Sequence, residues 1–352
     1  RRLRPPHHRV LRKEGHLLHS MVLRHKLVSN PDHRLELHTI DSGPLLQGLP
    51  PEEGSRITSD MKKITTIILS ALSLVCCNRP ESCVVGNLDI YENFQSKHVA
   101  PRTVRVWTPS DYDPEQKYEV IYMHDGQNLF DASITWNHQE WGVDECMSKL
   151  IADGEIRPCI VVGIDNISEI RYEEYYPSAI CPTVPEGVLP EGFKPLGDEY
   201  LRFVVEEVKP FVDSHYSTWG DAEHTFVMGS SCGGLISSYA LCEYPSVFGG
   251  AACLSTHCSL MNPYTQVDQQ PAAQAYLEYL RQELPSDRLL YMDRGDCAID
   301  TPYAEPQEAI NQLISSLGWD ESQYMYRFFP GHSHSENDWK SRLDIPVRFL
   351  LQ

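Results

Sequence analysis

The stretch TFVMGSSCGGLISSYAL, Thr225 to Leu241, sets Ser230, Ser231 and Cys232 side by side. An activated hydroxyl or thiol can attack an ester carbonyl and form an acyl-enzyme. Only Ser231 has glycine both two residues before it, at Gly229, and two after it, at Gly233. That Gly-x-Ser-x-Gly frame suits a serine on a sharp strand-to-helix turn, where side chains at the flanking positions would collide. Ser230 has Met228 in the first flanking position and Cys232 has Ser230, so neither fits. Cys232 is expected to lend its backbone N–H to an oxyanion, as the residue after such a nucleophile does.

A serine needs a base and an acid to orient that base. The stretch FFPGHSHSENDW, Phe328 to Trp339, offers His332 and His334 as the base. Upstream, YMDRGDCAID supplies Asp293, Asp296 and Asp300, and spacing alone does not choose among them. Chain order is then Ser, acid, His. The turn YMHDGQNLFD, Tyr122 to Asp131, is placed to give a second oxyanion donor, with His124 shaping the turn. No thiol or carboxylate cluster joins the two histidines, so neither a metal nor an organic cofactor is expected.

The elements that must carry these groups alternate. Strands are predicted at residues 103–107, 119–123, 159–164, 225–228, 250–254, 289–292 and 326–329, most of them rich in Val, Ile, Tyr or Phe. Helices are predicted at 139–152, 198–215, 234–243, 272–283, 306–317 and from Glu336 onward. The alternation implies an α/β fold with a mostly parallel sheet covered on both faces. Ligands then collect at the carboxyl ends of the strands. Residues 172–197 interrupt the pattern with prolines and tyrosines and read as a long loop or lid.

The stretches YMHDGQNLFDASITWNHQEWGVDE, MGSSCGGLISSYALCEYPSVFGGAACLSTH and HSENDWKSRLDIPVRFLL resemble the esterase D-like family of α/β-hydrolases. That family takes in carbohydrate esterase family 1 acetylxylan and feruloyl esterases, siderophore esterases and mycolyltransferases. The resemblance runs from about Pro101 to Leu351 and implies an α/β-hydrolase fold. Carried over by position, it implies Ser231 as nucleophile, His334 (the histidine of HSE) as base and Asp300 as acid. Where relatives read DYGTETLDA this chain reads DRGDCAIDT, so Asp296 stands where a threonine is usual. The resemblance also implies oxyanion donors at the N–H groups of Gln127 and Cys232. Trp136, Glu140 and Trp141 are the residues it suggests for the acyl or sugar pocket.

Composition narrows the class of substrate. The chain of 352 residues carries 30 Lys and Arg against 49 Asp and Glu, a net charge of −19, which disfavours nucleic acid. Residues 1–60 lack a hydrophobic period and are expected to be upstream or disordered sequence. From Met61, MKKITTIILSALSLVCC reads as a lipoprotein-type signal over residues 61–77, with a lipobox-like LVCC. Residues 78–352 are expected to form one esterase domain with its core at about 88–352. The chain is therefore expected to be exported, in the periplasm or anchored to the outer membrane of a Gram-negative bacterium. Cys258 and Cys297 are the one weak candidate pair for a disulfide, with unpaired thiols the simpler expectation.

These readings converge on a serine esterase that deacylates plant polysaccharides or oligosaccharides, removing acetyl or feruloyl groups. Three alternatives use overlapping parts: a siderophore trilactone esterase, an acyltransferase, and a catalytically silent glycan-binding lipoprotein.

Overall fold

The computed structural model describes residues 84–259 and 270–351. The proposed signal and the upstream segment, residues 1–77, lie outside the described residues. No helix among the described residues is long and apolar enough to cross a membrane.

Eight strands form one sheet in the order β1-β2-β4-β3-β5-β6-β7-β8. They are β1 (Asn87–Phe94), β2 (Arg102–Thr108), β3 (Glu119–His124), β4 (Cys159–Ile164), β5 (Thr225–Ser230), β6 (Gly250–Leu254), β7 (Leu289–Arg294) and β8 (Tyr324–Phe328). Strands β1, β2 and β4 pair antiparallel, and every pair from β4 to β8 is parallel. The α/β architecture with a mixed, mostly parallel sheet is the one expected from the alternation. Strand β1 is an addition: its residues are mostly polar and exposed, so it carries no apolar run to betray an edge strand.

Successive residues of a strand point to opposite faces, and the sheet sorts its core that way. Val120, Tyr122, Val162, Val227, Ala251 and Met292 pack on one face. That face is covered by helices α2 (Gly197–Arg202), α3 (Lys209–His215), α4 (Cys232–Glu243), α5 (Gln270–Glu283) and α6 (Ala304–Ser316). Ile121, Met123, Val161, Phe226, Met228 and Tyr291 pack on the other, against α1 (Val143–Ala152), α7 (Glu336–Lys340) and α8 (Asp344–Leu350). Helix α4 is buried from Cys232 to Cys242, consistent with an apolar sequence that shows no polar stripe.

Two predicted helices are divided. Residues 198–215 form α2 and α3 with a π-helical segment, Phe203–Val208, between them. Pro210 has no N–H to continue the regular ladder, and the wider turn absorbs that loss. The C-terminal helix breaks between α7 and α8, where Arg342 turns inward to Asp293. The segment 172–197 is a fastened wall rather than a structureless loop. Glu174 takes two bonds from buried Arg102 (2.8 and 2.6 Å), and Tyr175, Tyr176 and Ile180 join the core.

Glu119 opens β3 with its carboxylate buried, and burial pushes its pKa from the ordinary 4.5 to about 7 despite Arg157 at 2.7 Å. The folded state therefore holds this proton more tightly than the unfolded chain. Its contribution to stability is full below pH 4.5 and is lost as the pH rises through about 7. Glu119→Gln is expected to gain stability over wild type at pH 8 and to show much less gain at pH 5. Urea midpoints at the two pH values check this; an equal difference at both contradicts it.

Candidate active site

Strand β5 ends at Ser230 and α4 starts at Cys232, leaving Ser231 alone on the turn with φ 58° and ψ −123°. A non-glycine residue there is strained, and backbone bonds on both sides hold it. The Ser231 N–H donates to Leu254 (2.9 Å), and its carbonyl accepts from Leu235 and His257 (3.1 Å each). A Cβ on Gly229 would lie 2.7 Å from the Gly233 backbone, and one on Gly234 would lie 2.9 Å from Thr256 Oγ1. A Cβ on Gly233 itself meets only ordinary contacts at 3.4 Å. Gly229 is thus the tight member of the frame. Cys232 is buried, and burial raises its thiol pKa, with Arg171 nearby acting against the rise.

His334 sits in the loop between β8 and α7, with Nδ1 2.6 Å from Oδ1 of Asp300. Asp300 lies in the 3₁₀ turn Ala298–Tyr303 after β7 and is fully buried. Its Oδ2 accepts from Ser255 Oγ (2.6 Å) and from the Gly295 N–H (2.7 Å). Burial pushes this carboxyl up, but the bonds from His334, Ser255 and Gly295 outweigh it and hold the pKa below the usual range.

The other two aspartates have different surroundings. Asp296 is exposed and accepts the Gly331 N–H at 2.8 Å, which shapes the turn before the histidines. Asp293 is buried against Arg342, with bonds of 3.0 and 3.2 Å. His332 gives its carbonyl to the N–H groups of Asp296 and Cys297, while its ring lies beside Arg342 and Asp338.

Ser255 was not singled out by sequence, yet it joins these parts. It follows β6 with φ 41°, donates to Asp300, and accepts from Arg342 (2.9 Å) and Trp339 (3.1 Å). Its backbone N–H donates to Asp293 at 3.0 Å. Removing its hydroxyl leaves a buried carboxylate and two buried donors short of a partner. A hydrogen bond to a charged group is worth about 1.5–3 kcal/mol, so Ser255→Ala is expected to lower kcat roughly tenfold or more. Steady-state kinetics at matched folding check this, and an unchanged kcat contradicts it.

The turn after β3 begins with Asp125 in the left-handed region (φ 58°) and continues as a 3₁₀ turn, Gly126–Asn128. A Cβ on Gly126 would lie 2.6 Å from Gly163, so this close approach to β4 requires glycine. Asp125 takes two bonds from Arg171 (2.7 Å each) and one from Asn166 (2.6 Å). His124 is buried, with Nδ1 2.8 Å from Tyr200 Oη; burial lowers its pKa to about 4 and keeps it neutral. Gln127 and Cys232 occupy first-turn positions of their helices, where backbone N–H groups have no intrahelical acceptor.

Ser231, Cys232, Gln127 and His334 all line one cavity of about 620 Å³, which Arg171 and Tyr172 also wall. Trp136 stands at it 80 % exposed, and Trp141 also lines it, buried against Trp339 with ring centroids 5.4 Å apart. Glu140 departs from the expectation: it is not among the cavity residues, and its carboxylate meets Lys340 at 3.1 Å. Cys258 and Cys297 are both free thiols, so the weak pairing candidate is not a disulfide in this structure. Among the described residues, no group of three or more His, Cys, Asp or Glu could hold a metal ion.

A family model described as "Putative esterase" matches residues 98–349. The chain is 28% identical over 260 residues to YjcH of Bacillus subtilis (strain 168), covering 71% of this chain and 91% of that protein. In fold it is similar to a ferulic acid esterase (TM-score 0.56, 19% identity, 76% of this chain and 98% of that one). It is similar also to the enterobactin esterase FES from Shigella flexneri (TM-score 0.54, 18% identity, 77% of this chain and 60% of that one). At these identities the solved structures speak for the fold alone.

Proposed function

We propose, from the premise that the chain belongs to this esterase family, that Ser231 is the nucleophile of a serine esterase acting on compact esters of oxygenated aromatic acids, of the catecholate siderophore trilactone type. His334 takes the proton of Ser231 as the hydroxyl attacks the ester carbonyl. Asp300 holds the ring by Nδ1, which leaves Nε2 for the serine proton, and stabilises the imidazolium that forms. The N–H groups of Gln127 and Cys232 receive the oxyanion. Protonated His334 returns the proton to the leaving alkoxide, and water repeats the sequence to release the acid.

The observation that carries the substrate reading is the makeup of the cavity. Its volume of about 620 Å³ falls in the range of drug-sized ligands and exceeds what an acetyl group fills. Trp136 and Tyr172 bring aromatic rings to its wall, and Arg171, paired with Asp125, brings a guanidinium. The Shigella flexneri enterobactin esterase, similar in fold, has been solved in the presence of 2,3-dihydroxy-N-benzoyl-glycine, a compound of the class proposed here. This reading takes precedence over polysaccharide deacylation. Export through residues 61–77, with a lipid anchor, remains part of the proposal.

The test compares kcat/KM for a catecholate trilactone, ethyl ferulate and acetylated xylan. The expected order puts the trilactone first, by about a hundredfold over acetylated xylan, the scale on which apolar pocket contacts alone discriminate. Fastest release of acetate from xylan contradicts this substrate class and favours polysaccharide deacylation.

A further inference from the structure

Two of the groups behind Asp300 have a hydrogen-bonding sense fixed by their chemistry. Indole and guanidinium N–H groups only donate, whereas a serine hydroxyl has one proton and two acceptor positions. Trp339 Nε1 donates to Ser255 Oγ at 3.1 Å, and Arg342 Nη2 donates to it at 2.9 Å. Both acceptor positions are then filled. The one proton of Ser255 is left for Asp300 Oδ2, 2.6 Å away. Ser255, Asp300, Trp339 and Arg342 are all buried, so bulk water offers the hydroxyl no other partner.

Asp300 inherits that polarity. Its Oδ2 also takes the Gly295 N–H at 2.7 Å, so both neighbours of this oxygen are donors. A proton placed on Oδ2 would find no acceptor. Oδ1 is left to face His334 Nδ1 at 2.6 Å. Asp293 secures the arrangement from behind, accepting from Arg342 Nε (3.2 Å), Arg342 Nη2 (3.0 Å) and the Ser255 N–H (3.0 Å).

We propose that Trp339 and Arg342 are positioning residues for the esterase reaction: acting through Ser255, they commit its proton to Asp300, close Oδ2 to protonation and keep Oδ1 for His334. The proposal rests on Asp300 and His334 as acid and base. The base and both donors thus come from one short stretch, residues 334–342, and the serine that joins them from the end of β6. The other ionisable groups around these atoms are Tyr303 and Cys297 beside Asp300, Tyr291 beside Asp293, and His332 beside Arg342. Helix α7 adds Asp338 beside His332, and Glu336 in the cavity with His334.

Two measurements test it on the full chain. Neutron diffraction from wild-type crystals reads the proton positions directly. The expected result is a deuteron on Ser255 Oγ aimed at Asp300, with the indole and guanidinium deuterons aimed at Ser255. A deuteron on Asp300 Oδ2, or a Ser255 hydroxyl aimed elsewhere, overturns the proposal.

The second is the pH profile of Ser231 labelling by a fluorophosphonate, with the adduct mapped by mass spectrometry. Chained hydrogen bonds strengthen one another, so losing a donor to Ser255 weakens its hold on Asp300. More charge then faces His334, and the base is half protonated at a higher pH. Trp339→Phe is expected to move the acid limb up by about 0.3–0.5 unit, and Ser255→Ala by about one unit. Adding Trp339→Phe to Ser255→Ala is expected to move it no further. A folded Trp339→Phe with the wild-type limb, or a further shift in the double variant, overturns the proposal while Ser231 still labels. A wild type unlabelled at Ser231 removes the esterase reading itself, and the proposal with it.

Discussion

Ser231→Ala is expected to lower kcat for ester hydrolysis by roughly five to six orders of magnitude, the scale of removing a serine nucleophile. The strained turn sets Ser231 apart from its neighbours, which also line the cavity but belong to regular elements. Ser230 is the last residue of β5, and Cys232 is already the first residue of α4. The Cys232 thiol is buried and its pKa raised, so little thiolate forms near neutral pH. Cys232→Ala should therefore keep most of the activity, since the role assigned to that residue belongs to its backbone N–H. The reverse pattern, with activity lost in Cys232→Ala and kept in Ser231→Ala, contradicts the assignment.

Asp300→Asn is expected to cost about 10⁴ in kcat, as amide replacement of a triad acid does, with the fold intact. The buried carboxylate accepts from His334, Ser255 and Gly295 together. An amide has one acceptor oxygen and must present N–H where one of these donors now points. Its pKa sits below the usual carboxylate range, so the stability this charge supplies is present at neutral pH and is lost only as the pH falls through that lowered value. Asp296→Asn, on the surface, should stay within a few-fold of wild type. Steady-state kinetics on one activated ester compare the pair, and a large loss confined to Asp296→Asn contradicts the choice of acid.

Short-range signals carried much of this architecture. The Gly229 and Gly233 frame lies within five residues, and its steric reason is visible where a Cβ on Gly229 would strike Gly233. The parallel strands announce themselves by apolar runs because both faces are covered. What sequence left open depends on distant partners. Asp293, Asp296 and Asp300 look alike in one short loop, and burial and pairing with His334 or Arg342 distinguish them. Ser255 and His257 close the stretch that carries the family resemblance, yet no role is read for them there, and their meaning comes from bonds to residues about 45 positions away. Glu140 shares a turn with Trp141 yet faces Lys340, two hundred positions on. Side-chain direction on an irregular turn has no period to read.

The acyl-enzyme is the species to look for. The wild-type chain would be mixed with a p-nitrophenyl ester, quenched in acid within the first turnover, digested and mapped by mass spectrometry. One acyl group on Ser231 is the expected result, absent after longer reaction as water releases the acid. An acyl group on Ser230 or Cys232, or turnover with no covalent species at early times, would contradict nucleophilic catalysis by Ser231.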